Sequence, residues 1–275
     1  LSETEPADKL IRKGVTNNDE VSFKEAFVVN GIKIPLRSPP FLIFLEVDWD
    51  KLDGELERVK EYIDVPIIGF PAGFEDSDGL RRAIKAVSDH FGVFGVDADS
   101  PRVLNEAVSL GSSFILNLTK SNVDKLRPKG EVAYVVAPED PGNLEELRQT
   151  ISIAKKLGFR NLIVDPIVSP PPFGLVQSLI NYKILTEELK EYPFMMGVLN
   201  VTELIDADSV GINAVLTAVA LELGVSILLT REGKKTRWSS YELRKAVEMA
   251  TRSRGKKFMK DLGVDLLILK EKHRR

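Results

Sequence analysis

The sequence predicts a (β/α)8 TIM barrel with a short N-terminal extension and hairpin. Three observations lead there. Short, nearly continuous apolar runs recur from residue 41 to residue 229, as strands buried on both faces do. Each run ends in polar residues and is followed by an amphipathic stretch, so strand and helix alternate. No Gly-x-Gly-x-x-Gly follows the first run, where an open dinucleotide-binding sheet would carry it. The 275 residues, 43% hydrophobic and 29% charged, are enough for one such domain. The boundaries read as 1–38 for the extension and hairpin, and 39–275 for the barrel with its C-terminal tail.

The elements follow in order. LSETEPADKLIRKGVTNNDE is polar and aperiodic and reads as an extension. FVVNGIKI carries an Asn-Gly step between β-rich flanks, a hairpin signal, and is expected to plug the N-terminal end of the barrel. FLIFLEV (41–47) is strand one, and its helix places Leu52, Leu56 and Val59 on one side. PIIGF (66–70) is strand two; Asp76 can cap a helix carrying Leu80, Ile84 and Val87. VFGV (93–96) is strand three, followed by Ser100-Pro101, a cap residue with proline at the first helical position. SFILNL (113–118) is strand four, with a short helix expected near Asn122–Leu126. VAYVVA (132–137) is strand five, followed by Asn143 and Glu146 in capping-box spacing and a helix ending at Gly158. NLIVD (161–165) is strand six, with a helix from about Leu175 to Leu189.

PFMMGVL (193–199) is strand seven and stops at Asn200; a polar loop, Thr202 to Asp208, follows. Ile212, Val215, Leu216, Val219 and Leu223 then trace a helical stripe that Gly224 ends. VSILL (225–229) is strand eight. Its helix opens with Ser239 and Glu242 in capping-box spacing. The tail, DLGVDLLILKEK, holds one more apolar run expected to pack on the outside.

Composition excludes several functions. A net charge of −3 offers no basic stripe for nucleic acid. No apolar run reaches membrane length and no signal-peptide pattern opens the chain, which reads as cytoplasmic. With no cysteine and only His90 and His273, a histidine triad, a thiolate nucleophile and a His/Cys metal centre are all poor readings. The first residue is not Met, which leaves open that the chain is part of a longer one.

In such barrels the carboxyl ends of the strands carry the chemistry. Asp97, Asn117, Asp165 and Asn200 each end a strongly apolar strand. Any one of them could instead cap a helix or satisfy a loop, but four on strands three, four, six and seven suggest a shared site. Carboxylates and amides together suit a neutral, donor-rich ring. Arg231, Lys234, Lys235 and Arg237 after strand eight suit an anion, or simply form a solvated loop.

GVDADSPRVLNEAVSLGSSFILNL, VDPIVSPP and GVLNVTE resemble the corresponding segments of the pterin-binding barrels, the superfamily of dihydropteroate synthase and the corrinoid-linked methyltetrahydrofolate methyltransferases. More closely, DPIVSPPPFGLVQSL, MMGVLNVTELIDADSVGINA, ELGVSILLT and KDLGVDLLILKEK resemble the archaeal dihydropteroate synthase-related proteins. The likeness implies that Asp97, Asn117 and Asp165 bind the pterin, that Asn200 bonds its ring, and that Arg231 and Lys234 face a leaving group, with Asp97, Asn200 and Arg231 catalytic. It also implies a homodimer through the late helices, around Gly211, Ala214 and Ala218. The chain departs from the synthases in lacking Asn-x-Thr-Pro on strand one, Ser-Arg-Lys on strand seven and a histidine after Arg231, which puts the pyrophosphate and arylamine sites in doubt.

Three functions remain open from the sequence. One is a dihydropteroate synthase-like transferase of folate or methanopterin metabolism, with Mg2+ if its substrate is a diphosphate. A second is a pterin-binding module without synthase activity, or a pterin-linked methyltransferase that needs a corrinoid protein partner. A third is a barrel enzyme for an unrelated phosphorylated substrate, which rests on fold alone. No resident cofactor or metal is firmly implied; the pterin is the ligand.

Overall fold

The computed structural model describes residues 23–267 apart from Lys235, so the polar extension, Lys235, His273 and the end of the tail lie outside the described residues. The first elements form the hairpin. β1 (Glu25–Val29) and β2 (Ile32–Pro35) pair antiparallel around Asn30-Gly31, whose φ values are 44° and 85°. Left-handed backbone at both turn positions matches the twist of the flanking strands, which is why Asn-Gly is favoured there.

One parallel sheet follows: β3 (Leu42–Asp48), β4 (Val65–Gly69), β5 (Gly95–Asp97), β6 (Phe114–Leu118), β7 (Ala133–Val136), β8 (Asn161–Val164), β9 (Met195–Gly197) and β10 (Ile227–Arg231). The spatial order is β8-β7-β6-β5-β4-β3-β10-β9. Its two ends meet where the Val164 N–H donates to the Pro193 carbonyl at 3.0 Å and Val164 bridges Phe194. The barrel is therefore closed, and the β8–β9 seam is its thinnest join. The helices are α1 (Leu52–Val59), α2 (Ser77–Ser88), α3 (Pro101–Ser109), α4 (Leu144–Leu157), α5 (Leu175–Glu188), α6 (Leu199–Thr202), α7 (Ser209–Leu223) and α8 (Ser239–Arg252).

Several helix ends fall where the sequence places them. Asp76 accepts from the Asp78 N–H at the start of α2, and Ser100 from the Val103 N–H at the start of α3. Asn143 accepts from the Glu146 N–H at 3.0 Å to open α4. Such caps satisfy donors that the first turn leaves orphaned. Gly158 (φ 94°) and Gly224 (φ 72°) close α4 and α7 in the left-handed conformation.

Three elements differ from the sequence expectation. Asn122–Leu126 is a set of turns, not a helix; the Asn122 side chain accepts from the Thr119 N–H and donates to the Asn117 carbonyl, tying the loop back onto β6. Strand seven is Met195–Gly197 and not 193–199; Val198 has helical backbone and Asn200 lies inside the one-turn α6. The apolar run misleads because that turn is buried too, with Val201 2% exposed, and burial alone does not separate strand from helix. Ser239 does not cap α8. Trp238, at φ 75°, precedes the helix, and Ser239 and Glu242 are fully buried. Asn213 of α7 donates to Ser239 Oγ and Glu242 Oε2, both at 2.9 Å, and Ser239 Oγ lies 2.7 Å from Thr230 Oγ1. The capping-box pair is thus a buried polar tie between β10, α7 and α8.

The core has two layers, set by the alternation of strand side chains. Ile43, Leu45, Val96, Ile115, Leu162 and Leu228 face the helices. Phe44, Ile67, Phe114, Val135, Ile163 and Leu229 fill the barrel interior, together with Val29 and Ile34 of the hairpin. The hairpin therefore stops the N-terminal end: Asn30 Nδ2 donates to Ser113 Oγ at 2.6 Å, just before β6, and Ser226 Oγ to the Pro35 carbonyl at 2.6 Å, just before β10. Burying Val29 and Ile34 fully contributes roughly 1.5–3 kcal/mol each. In the tail, Leu266 packs with Val210 and Ala246 on α7 and α8. Among the described residues no helix is long and apolar enough to cross a membrane.

Candidate functional site

With the N-terminal end plugged, the open end is the carboxyl end of the strands. Continuing each interior row by one step gives a ring with one residue from each strand: Glu46, Gly69, Asp97, Asn117, Ala137, Asp165, Gly197 and Arg231. Gly69 and Gly197 make room in it. A Cβ on Gly69 would stand 2.6 Å from Glu46 Oε1, and one on Gly197 would stand 3.3 Å from Asn200 Nδ2. So Glu46 leans over β4 and Asn200 over β9.

Asn117 reaches this ring through a bulge. Ile115 pairs with Tyr134 but Leu118 with Val136, so β6 carries one residue more than β7 across that step. Leu116 accordingly faces the interior and Leu118, two residues on, faces the helices. The extra residue, Asn117, takes φ 62°, a conformation Asn tolerates better than most. Its Nδ2 donates to Asp97 Oδ1. Burial pushes the Asp97 carboxyl up to about 7; the nearby Glu46 and Asp99 charges add to this, and the Asn117 bond and Arg231 oppose it.

Asp165, 8% exposed, follows β8. Its Oδ1 accepts from the Ile167 N–H at 2.8 Å and from the Tyr182 hydroxyl at 2.7 Å. The first bond closes an Asx-type turn and holds Ile167 at φ 65°, a costly conformation for a β-branched residue. Asp165 thus satisfies its own loop, and α5 begins only at Leu175. Its Oδ2 has no hydrogen-bond partner among the described residues. Burial pushes its carboxyl up to about 6 against the opposing pull of Tyr182 and the Ile167 N–H. Asn200 donates from Nδ2 to the Val168 carbonyl at 3.3 Å, in the same loop.

Arg231 is held at the other side of the ring. It is paired with Asp48, and its Nη1 lies 3.5 Å from Glu46 Oε1. Lys51 Nζ also donates to Asp48, at 2.6 Å. Burial raises the Glu46 carboxyl and Arg231 opposes it; burial likewise raises that of Glu203, with Arg231 opposing. Lys234 lies exposed in the following loop. The structure therefore brings Asp97 and Asn117 into contact, sets Asp165 on the same ring with Asn200 at its loop, and ties Arg231 to carboxylates.

Glu46 and Tyr182 are two participants the sequence reading passed over. Glu46 had a signal: it is the one carboxylate within the apolar FLIFLEV. Tyr182 had none, being one of several large residues along α5. Trp49, Phe70 and Phe74 form an aromatic cluster beside the ring, with Phe70 and Phe74 4.5 Å apart. A groove of about 380 Å3 lies outside the barrel between α1 and α2, lined by Trp49, Lys51, Leu52, Gly79, Arg82 and Ala86; it contains no ring residue. Among the described residues no group of three or more His, Cys, Asp or Glu is arranged to hold a metal.

No protein-family model matches the chain. An uncharacterised protein of Methanocaldococcus jannaschii is 30% identical over 267 residues, covering 88% of this chain and 50% of that one. The chain thus spans about half the length of that relative. Solved structures with similar backbones include dihydropteroate synthases. That of Yersinia pestis, solved with a pterine-sulfa conjugate, has a TM-score of 0.61 at 15% identity over 83% of this chain and 99% of its own. The Thermus thermophilus enzyme, in complex with 6HMPPP, gives 0.60 at 20% identity over 80% and 96%. The Xanthomonas albilineans enzyme, in complex with 7,8-dihydropteroate, gives 0.60 at 19% identity over 79% and 93%. The chain has the (β/α)8 barrel fold of the dihydropteroate synthases.

Proposed function

We propose that the open end of the barrel binds a pterin and that the protein is a dihydropteroate synthase-like transferase acting on it. The observation that carries this reading is the set of acceptors on one side of the ring: Asp97 with Asn117, and Asp165 with Oδ2 unengaged. The amino-pyrimidine edge of a pterin presents N–H donors, and charge-assisted bonds from them to a carboxylate are about twice as strong as neutral ones. Asp97, with a carboxyl near 7, can hold or give up a proton at a ring nitrogen near neutral pH. Asn200 stands next to the Asp165 loop, where the resemblance sets a ring contact.

A second reading has its own observation. Arg231, the guanidinium expected to meet a leaving pyrophosphate, is paired with Asp48 and Glu46. That favours pterin binding, or methyl transfer with a corrinoid protein, without pyrophosphate release. Calorimetry with 6-hydroxymethylpterin and, separately, a sugar phosphate tests the shared premise: the pterin is expected to bind, and binding of the sugar phosphate alone would remove both readings. Pyrophosphate release from the pterin diphosphate in the presence of an arylamine separates the two.

The homodimer stays a proposal on a visible surface. Val176, Ile180 and Ile184 form an exposed apolar stripe on α5, and Phe173 before it and Val215 on α7 are exposed as well. Sedimentation at micromolar protein is expected to give a dimer, and a monomer there removes the proposal.

A further inference from the structure

Tyr182 is fully buried on α5, and its hydroxyl stands between two oxygens. Asp165 Oδ1, at the end of β8, is 2.7 Å away, and the Met195 carbonyl, at the start of β9, is 2.9 Å away. It therefore spans the β8–β9 seam, where the barrel is joined by a single bridge. Both neighbours accept, yet a phenol has one hydrogen to donate. It can satisfy one of them fully at a time.

The protonation state of Asp165 resolves the conflict. With the carboxyl ionised, the hydroxyl hydrogen goes to Oδ1, which also takes the Ile167 N–H. With a proton on Oδ1, that O–H can donate to the tyrosine oxygen, and the tyrosine hydrogen turns to Met195. Ile167 N–H keeps its acceptor either way. We propose that Tyr182 is a positioning residue for Asp165: its hydroxyl holds the carboxylate ionised and fixed through Oδ1, so that Oδ2 is the atom left for a ligand donor. Its use for a ring ligand rests on the pterin reading above; the hold on the Asp165 charge does not.

Among the described residues, no other ionisable group acts on the Asp165 carboxyl. On β7, Tyr134 is engaged with the backbone of Arg127 and Lys129. On α5, Lys183 pairs with Glu187 at 2.9 Å, and Glu188 with Arg148 at 2.7 Å, on the exposed face. β9 carries no ionisable side chain. The charged groups across the ring, Glu46, Asp97 and Arg231, act on one another. The Tyr182 hydroxyl itself is raised well above its ordinary range by burial and the Asp165 charge, so it serves as a donor and not as a base.

The test is a carboxyl-carbon NMR titration of Asp165 in the ligand-free protein, compared with Tyr182→Phe. The Tyr182 bond is charge-assisted when Asp165 is ionised and a weaker neutral bond when it is protonated, so losing it should raise the Asp165 midpoint by about one unit. In the same variant, pterin affinity should fall about threefold near pH 6.5 and recover by pH 8.5, where Asp165 is ionised in both proteins; lost packing would give a loss that does not vary with pH. Replacing Tyr182 by 3-fluorotyrosine, a stronger donor of similar volume, should move the midpoint down, and this serves if the Phe variant does not fold. A midpoint that stays put in both variants overturns the proposal even if pterin binds. Absence of pterin binding in the parent removes the pterin reading but leaves the titration result standing.

Discussion

On the β3–β10 side of the barrel mouth, Arg231 pairs with Asp48 and approaches Glu46, and Lys51 adds a second cation on Asp48. On the β5–β6–β8 side, Asp97 and Asp165 hydrogen-bond only to neutral groups: an amide, a phenol and a backbone N–H. The first side compensates its own charge. The second does not, and burial raises its two carboxyls to about 7 and about 6. A carboxylate that the fold desolvates without a cation is costly. Its persistence at the functional end of a barrel, next to left-handed Asn117 and Ile167, fits a place that a ligand is meant to complete. Three substitutions test that contrast.

The largest effect is expected from Asp165→Asn on binding. The variant's Oδ1 can keep the Ile167 and Tyr182 donors, while an NH2 replaces Oδ2 and faces the donors of the ring. Pterin affinity measured by calorimetry should fall about thirty- to a thousand-fold, or roughly 2–4 kcal/mol. Fold stability should change much less. Unchanged affinity would mean that Oδ2 meets no ligand.

Asp97→Asn should stabilise the ligand-free protein while weakening binding. An Asp whose folded value is raised keeps its full stability below the unfolded value of 3.8 and loses it as pH rises through the folded value of about 7. Removing the charge therefore gains nothing at pH 3.5 and most above pH 7. The shift sets a bound of about 4 kcal/mol, and water reaching the mouth brings the expected gain near 2 kcal/mol at pH 8. Urea denaturation at several pH values checks it; a variant no more stable than the parent at pH 8 would show that the Asp97 charge is already compensated.

Arg231→Met acts on the paired side, and its effect should be the smallest. Arg231 is about a third exposed, so solvent already screens the pair, and the loss should be about 1 kcal/mol at pH 8. Because Arg231 opposes the rise at Glu46, removing it lets that carboxyl protonate more easily, and the loss should shrink toward pH 5. In the transferase reading, pyrophosphate release falls as well; in the binding reading, pterin affinity is kept. A loss larger than that of Asp165→Asn on binding would reverse the contrast between the two sides.

Much of this was legible in residues 41–252. The strand phases, the Asp76, Ser100 and Asn143 caps, and the Gly158 and Gly224 stops are local, because each depends on one side chain or one dihedral choice. The errors share another origin. PFMMGVLN reads as one strand, yet its last residues open a helical turn, since a short apolar run has no period that would tell the two apart. Ser239 and Glu242 have the spacing of a cap, but Asn213 and Thr230, distant in sequence, compete for them.

The sequence by itself determined that strands and helices alternate around a closed barrel, and that Asp97, Asn117 and Asp165 stand at strand ends, because apolar periodicity and capping are properties of neighbouring residues. The tertiary structure alone decided what each charge meets. Arg231 is enclosed because Glu46 and Asp48 lie on the adjacent strand, 183 residues away for Asp48. Asn117 reaches Asp97 because a bulge turned β6 by one residue. Tyr182 holds Asp165 because α5 packs its buried face over the β8–β9 seam. Electrostatic partners are set by distance in space, and in a closed barrel that distance is fixed by strand order and register, which no single stretch of the chain encodes.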